Sequence, residues 1–374
     1  MKLFLIAGEA SGDALGAALI RALRTAAPET QFSGVGGAEM TREGLASLFP
    51  VEDIAVMGLA PVLARLPKIL ARLAETTRAV VDARPDCLVL IDAPDFTHRV
   101  ARRVRRILPG LSVVNYVSPS VWAWRPGRAR AMRAYIDCVM ALLPFEPEAY
   151  ARLGGPRCVY VGHPLAEGLA ILARDVESCD GPLLVLPGSR RSEIARMTGL
   201  YGAALARLRA RRVVPEVVIP VAPRMEHGLA DALRGWPLTP QLIGQAEKFA
   251  TFRRARAALV TSGAATLELA LAGVPMAVAY RVGPLESMLR FLVSVDSIVL
   301  PNLIVGENIV PEFFQERATP DALADALDAI LDPGPARRAQ EAAFMRVRAQ
   351  IAAAGPAPAR SAAEVVLAHA RRAG

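Results

Sequence analysis

Cysteine and histidine are scarce in this chain, at four residues each among 374. Cys87, Cys138, Cys158 and Cys179 lie far apart with no Cys-x-x-Cys pair, and the first three sit in or beside apolar, strand-like runs. That pattern reads as buried, reduced thiols of a cytoplasmic protein and gives no support to a zinc site. The histidines are isolated, none opening an HxxxH or HExxH pattern, so no metal and no other cofactor is expected. A surface or capping role is expected for His98, with a place near Asp92 as the lesser alternative, and Gly162-His163-Pro164 falls at the predicted domain junction and could line the cleft. Aromatic residues are only 5% of the chain. No stretch approaches 18 uninterrupted apolar residues, which argues against a membrane-spanning helix. The opening Met1-Lys2-Leu3-Phe4-Leu5-Ile6-Ala7-Gly8 is too short for a signal peptide and runs straight into a glycine-bearing loop.

The net charge is +8, which admits nucleic acid, an anionic membrane surface or phosphorylated substrates as partners. Much of the excess is arginine scattered along Ala/Leu/Arg helices such as 101–106, a solvated face. With few aromatics to stack on bases, no nucleic-acid partner is expected.

At this length two domains are the default. Strand-then-helix units repeat along the chain. Strands are predicted at 2–7, 87–91, 112–117 and 137–142, then at 183–186, 213–221, 257–260 and 276–280. A helix is predicted over 13–26, with Leu15, Leu19 and Leu23 on one face. Two such series predict an α/β protein of two Rossmann-like domains facing a cleft. The boundaries are 1–168, 169–354 and a C-terminal segment 355–374. That segment holds a short helix from Ser361, its possible N-cap.

The stretch 57–73 stands apart. Large apolar residues at Leu59, Val62, Leu63, Leu66, Ile69, Leu70 and Leu73 have helical spacing, and Arg65, Lys68 and Arg72 form a basic stripe. It reads as an ordinary packed helix or as an interfacial helix dipping into anionic lipid. Pro61 and Pro67 weaken a continuous helix in either case.

Five loops could carry chemistry. The apolar run Cys87–Ile91 ends in Asp92-Ala93-Pro94-Asp95, and in open α/β sheets ligands bind outside such strand ends. An acid there can be a base, an orienter or a metal ligand. Gly8-Glu9-Ala10-Ser11-Gly12-Asp13 joins the first strand to the first helix; its two carboxylates favour hydroxyl recognition over a pyrophosphate. The plainer reading is a βα turn capped by Ser11 or Asp13. Leu186-Pro187-Gly188-Ser189-Arg190 is a cationic version, able to hold a diphosphate, or else a surface turn whose arginines pair with Glu193. Thr261-Ser262-Gly263-Ala264-Ala265-Thr266-Leu267-Glu268 opens a helix with small residues, a phosphate cradle without a lysine. Glu268, one turn in, could accept from two ribose hydroxyls. In Ser118-Pro119-Ser120-Val121-Trp122-Ala123-Trp124-Arg125 the tryptophans could stack on a sugar, sit at a lipid interface or fill a core corner.

Taken in order, GEASGD, MGL with the basic amphipathic stretch, IDAPDF, YVSPSVWAWR, LPFE, GHP, LPGSR, TSGAATLE and LPNL closely resemble glycosyltransferase family 19, the lipid-A-disaccharide synthases. The set spans residues 8 to about 315. Two departures, GEASGD for the also familiar GETSGD and Ala265 in the helix start, remove no charged group. The resemblance implies a GT-B architecture whose C-terminal helix crosses back to the first domain. It implies a reaction joining UDP-2,3-diacylglucosamine to 2,3-diacylglucosamine 1-phosphate, with inversion, to a β(1→6) disaccharide 1-phosphate and UDP. It also implies a peripheral enzyme on the cytoplasmic face of the inner membrane, on an anionic lipid surface contacted through the 57–73 stretch. A homodimer exchanging C-terminal segments is implied too.

One-step inversion needs a base on the acceptor hydroxyl and stabilisation of the departing diphosphate. Asp92, the first polar residue off its strand, is the first choice of base, with Asp95, Glu9 and Asp13 behind it. Arg190 and the 262–266 amides would neutralise departing UDP, and Glu268 would hold the ribose. Asn302, carried over from the LPN motif, would orient donor or acceptor, and Arg125 is a candidate for the acceptor 1-phosphate. The rival readings are a UDP-sugar 2-epimerase of the same fold and a non-catalytic nucleotide- or lipid-binding protein.

Overall fold

Uninterrupted apolar runs become central strands when helices cover both faces of a sheet, and both sheets of this chain are built that way. The computed structural model describes residues 1–55, 59–172, 180–221, 229, 231–283, 297–355 and 357–371, with backbone alone for 59–64. The chain divides into two compact units, Met1–Ala166 with Ala354–Gly374, and Glu167–Ala353.

The first unit runs β1 (Lys2–Ala7), α1 (Ala10–Ala26), β2 (Gln31–Val35), α2 (Ala38–Arg42), β3 (Ala46–Ser47), α3 (Leu59–Ala83), β4 (Cys87–Ile91), α4 (Pro94–Ile107), β5 (Ser112–Tyr116), α5 (Gly127–Met132), β6 (Cys138–Ala141), α6 (Glu146–Arg152) and β7 (Arg157–Tyr160). All neighbours are parallel, in the order β3-β2-β1-β4-β5-β6-β7. Side chains alternate across the sheet. Leu3, Leu5, Val89 and Ile91 face one core with α1, whereas Phe4, Ile6, Leu88 and Leu90 face the other, with Leu73, Val80, Val100 and Val104 of α3 and α4.

The second unit runs α7 (Leu169–Leu172), β8 (Leu183–Leu186), α8 (Arg191–Arg209), β9 (Val217–Pro220), β10 (Gln241–Ile243), α9 (Lys248–Arg254), β11 (Ala257–Thr261), α10 (Ala264–Leu271), β12 (Met276–Tyr280), α11 (Leu300–Val305), β13 (Glu312–Phe314), α12 (Pro320–Leu331) and α13 (Pro335–Ala352). Its parallel order, β10-β9-β8-β11-β12-β13, repeats the first. The last helix, α14 (Pro358–Ala370), packs on α1, β4 and β5 of the first unit.

Several predicted bounds move. Helix α1 starts at Ala10 rather than 13, which puts Ser11 and Asp13 inside it. Helix α3 continues through Pro67 to Ala83, because Leu73, Thr76, Thr77 and Val80 beyond the proline are buried; packing outweighs the lost backbone bond. Strand β9 is shorter than 213–221, since Val213 is exposed and Pro215 cannot donate to a ladder. Helix α14 starts at Pro358, whose ring presets the first helical φ, so Ser361 is not its cap. Among the described residues no helix is long and apolar enough to cross a membrane.

Candidate functional site

In each sheet the strand order reverses beside the first strand of its unit. The chain leaves β1 toward β2 and β3, then returns to place β4 on the other side, so the loops after β1 and β4 diverge and leave a crevice. Register sets Ala7 beside Ile91, which brings the 8–13 and 92–95 loops together. In the second unit Leu186 pairs with Val260, bringing together the 187–190 and 261–264 loops. The motifs found by reading the chain therefore occupy the two topological switch points.

At the first switch point the backbone is strained. Asp92 and Ala93 have φ of +55° and +44°, left-handed values that cost on the order of 1–3 kcal/mol each for non-glycine residues. The surroundings hold them there. The Asp92 amide donates to Tyr116 O (3.0 Å), and the Thr97 hydroxyl donates to the carbonyls of Asp92 (3.0 Å) and Ala93 (3.1 Å). Asp92 Oδ1 accepts from the Ala93 amide at 2.8 Å, while Oδ2 lies 3.4 Å from Ser11 Oγ. One carboxylate oxygen is thus anchored and the other faces the β1 loop. Gly8 makes the approach possible, since a Cβ there would collide with the Ala93 Cβ. Asp95, at the start of α4, is almost fully exposed, with Arg128 3.7 Å away. Glu9 is half-buried at the N-cap position of α1.

Other residues of this unit depart from their expected roles. Asp13 is buried, and its carboxylate accepts from the amides of Gly37 (2.8 Å), Glu39 (2.9 Å) and Met40 (3.0 Å). It caps α2, because three convergent amides at a helix start hold a carboxylate better than water does, and it is not placed for substrate. The two tryptophans part company. Trp122 is a core corner, donating to Glu146 Oε1 at 3.0 Å, whereas Trp124 is exposed with the Arg125 guanidinium 4.1 Å from its ring centre. His98 is buried rather than superficial, its Nε2 3.1 Å from Asn115 Oδ1. His163 accepts from the Leu165 amide at 3.1 Å.

Along α3, Leu59, Val62 and Leu63 lie outside the described side chains. Leu66 is half-buried, Leu70 is exposed, and Ile69 packs on the sheet core, which removes it from a lipid-facing set. The basic stripe is also partly engaged. Lys68 Nζ is 2.5 Å and Arg72 Nη2 2.8 Å from the Asp53 carboxylate, which these cations hold below the usual range.

The second switch point opens into a cavity of about 450 Å³. Gly188, Ser189, Arg190, Ser262, Gly263, Ala264 and Glu268 line it. Gly263, with φ of +156° and ψ of −167°, occupies a region open almost only to glycine and turns the chain into α10. Glu193 accepts from the amides of Ser189 (3.0 Å) and Arg190 (3.2 Å), and its second oxygen lies 3.3 Å from the Arg190 guanidinium. Arg190 pairs with Glu193, as the surface-turn reading expects, and still exposes 60% of its side chain along the cavity.

Residues 3–363 match a family model described as lipid-A-disaccharide synthetase. The chain belongs to that family. It is similar to the lipid-A-disaccharide synthase of Bradyrhizobium diazoefficiens, with 51% identity covering 99% of this chain and 97% of the relative. The Nitrobacter hamburgensis enzyme is 52% identical, covering 98% and 95%. Solved structures share the fold at low identity. A UDP-GlcNAc 2-epimerase from Neisseria meningitidis bound to UDP-GlcNAc has a TM-score of 0.63 at 11% identity, covering 98% of this chain and 99% of that one. The calicheamicin glycosyltransferase CalG4 has 0.60 at 17%, covering 99% and 98%. MurG of Acinetobacter baumannii has 0.58 at 16%, covering 98% and 99%. This member of the lipid-A-disaccharide synthetase family is a glycosyltransferase of lipid A biosynthesis with a GT-B fold.

Two residues expected at the substrate of this enzyme lie elsewhere. Asn302 is buried away from the cavity. Its Nδ2 donates to Val310 O (2.9 Å) and Ser297 Oγ (3.3 Å), and its Oδ1 accepts from the Val310 amide (2.9 Å). With donors and acceptor so engaged it is a positioning residue. It fixes the segment whose Ile298 carbonyl accepts the Ser262 hydroxyl at 2.8 Å. Thr266 is buried too, donating to Gly263 O at 2.8 Å.

Lys248 lines the cavity and has no place in the sequence reading. The cradle does have a lysine, supplied from α9: Lys248 Nζ lies 2.5 Å from Glu268 Oε2, both side chains largely buried. Nothing in Gln245-Ala246-Glu247-Lys248 distinguishes it from a solvated helix start; only folding brings α9 over the cradle. Among the described residues no group of three or more His, Cys, Asp or Glu is gathered as a metal site.

Proposed function

We propose that this enzyme transfers 2,3-diacylglucosamine from its UDP-activated form to the 6-hydroxyl of 2,3-diacylglucosamine 1-phosphate. The products are the β(1→6) disaccharide 1-phosphate and UDP. The observation that carries this reading is Asp92, in a strained turn at a switch point, with one carboxylate oxygen anchored by the Ala93 amide and the other meeting only the Ser11 hydroxyl of the β1 loop, at 3.4 Å. Such an acid can serve as a general base. It takes the proton of the acceptor hydroxyl as that oxygen bonds to the donor's anomeric carbon. The bond from that carbon to the UDP oxygen breaks from the opposite face, so the α-linked donor inverts.

Leaving-group charge is met in the second unit. Arg190, the Ser189 hydroxyl and the first amides of α10 would bind the diphosphate, and Glu268 would accept from the ribose hydroxyls. Asp95, Glu9 and Ser11 would border the acceptor. The test is incubation with both lipid substrates in detergent and chelator, read by mass spectrometry. A tetra-acylated disaccharide phosphate plus UDP is expected. A folded, UDP-stabilised protein yielding no disaccharide would overturn the reading.

Because both substrates carry acyl chains, we place the enzyme peripherally on the cytoplasmic face of the inner membrane, contacting lipid through the start of α3, Leu66 and Leu70. Replacing Leu66 and Leu70 by Ser should move protein from the vesicle-bound to the free fraction in flotation. Unchanged partition would return these residues to an ordinary helix face.

A further inference from the structure

A second cavity, of about 420 Å³, lies in the first unit beside the 92–95 loop. Its wall carries Arg99 and Arg102 of α4, Arg125 of the preceding turn and Arg128 of α5, against one carboxylate, Asp95. Arg99 and Arg102, and likewise Arg125 and Arg128, are three residues apart. Two of the guanidinium groups lie over aromatic rings. Arg102 lies 4.6 Å over Tyr135 and donates to its hydroxyl at 3.1 Å, and Arg125 lies 4.1 Å over Trp124. The backbone at Arg125 is left-handed, with φ of +55°. Asp95 is too exposed and too far from Arg128, at 3.7 Å, to neutralise four arginines.

The floor is His98, 2% exposed. The Asn115 amide nitrogen donates to Val117 O (2.8 Å), so its oxygen faces His98 Nε2 (3.1 Å), and that nitrogen carries the hydrogen. The Tyr135 hydroxyl, accepting from Arg102, lies 3.4 Å from Nδ1 and can donate to it. Burial first, and the Arg128 and Arg102 charges with it, push the His98 pKa down to about 3. The floor is therefore neutral and polar beneath an excess of guanidinium charge. Arginines gathered around a concavity suit a phosphate monoester, whose three terminal oxygens accept forked bonds and whose second charge a phosphodiester lacks.

We propose that this cavity binds the phosphate monoester of the lipid acceptor; the assignment rests on the acceptor named above. Pro94 and Asp95 line it, so a sugar phosphate seated here lies on the loop that carries Asp92.

The test uses the full chain with Arg99 and Arg128 both replaced by Gln, and Arg125→Gln as a second variant at an exposed position. KM for diacylglucosamine 1-phosphate should rise about tenfold or more, KM for the UDP donor should hold, and the preference over unphosphorylated acceptor should collapse. Binding of water-soluble glucosamine 1-phosphate, measured by calorimetry, should weaken in parallel, with thermal melts confirming folding. An unchanged acceptor KM in both folded variants overturns the proposal. So does reduced partition onto phosphatidylglycerol vesicles with acceptor KM intact, which would assign the arginines to membrane headgroups. A wild-type protein that makes no disaccharide yet binds glucosamine 1-phosphate through these arginines sinks the transferase reading and leaves the phosphate site standing.

Discussion

Replacing Asp92 by Asn is expected to lower kcat by about 10²–10⁴-fold, the usual worth of a general base. The substitution is unusually clean here. Asn tolerates a left-handed φ better than most residues, so the turn at +55° is not strained further. Its carbonyl oxygen can still accept from the Ala93 amide, which now meets Asp92 Oδ1 at 2.8 Å. Only the basicity of the second oxygen is lost. Melting temperature and UDP affinity should therefore stay near wild type while turnover falls. Near-normal turnover in Asp92→Asn, with a large loss in Asp95→Asn, would move the base three residues along the loop.

A second large effect is expected in the pH dependence of stability. Glu146 is 3% exposed, accepting from Trp122 Nε1 and from the Leu143 amide, each at 3.0 Å. Burial outweighs these bonds and pushes its carboxyl up from 4.5 to about 7. Below pH 4.5 the group is protonated both folded and unfolded. Between 4.5 and 7 the unfolded chain releases the proton and the folded one keeps it, so stability falls as pH rises and levels off above 7. The raised value corresponds to roughly 3 kcal/mol. His98 and His163, pushed down by burial to about 3 and about 4, act in the opposite sense as pH falls below 6.5. Urea unfolding of wild type and Glu146→Gln at pH 5 and pH 8.5 separates them. Relative to the variant, in which the same histidines titrate, the wild type should fall in stability on going to pH 8.5, by up to about 3 kcal/mol. Parallel behaviour would mean that the buried carboxyl ionises without penalty. The loss of the Leu143 bond in the variant is the same at both pH values and leaves the comparison intact.

These two acids illustrate how far the chain could be read. The place of Asp92 was legible because five apolar residues end in it, which sets it at the end of a buried strand. Glu146 was not, since LPFE looks like a turn; only the Trp122 contact and burial give the acid its character. The same limit explains the errors. Asp13, Thr266 and Asn302 are polar residues at loop and helix starts, where caps and ligand contacts use identical side chains. Which use applies depends on what lies opposite: the start of α2 for Asp13, Gly263 for Thr266 and the Val310 backbone for Asn302. Lys248 failed in the other direction, as an unremarkable lysine carried into a cavity by its helix.

By itself the amino-acid order determined the two α/β series, the loops that end their strands, and membership of the lipid-A-disaccharide synthetase family. These are local properties: hydrophobic period, strand-ending acids and glycines, and motifs in sequence order. Only the tertiary structure decided the strand order and its reversal beside β1 and β8, which side chains meet across each crevice, and which polar groups are already occupied. Those depend on contacts between residues tens of positions apart. Such contacts exist only when burial of both sheet faces holds the helices in place.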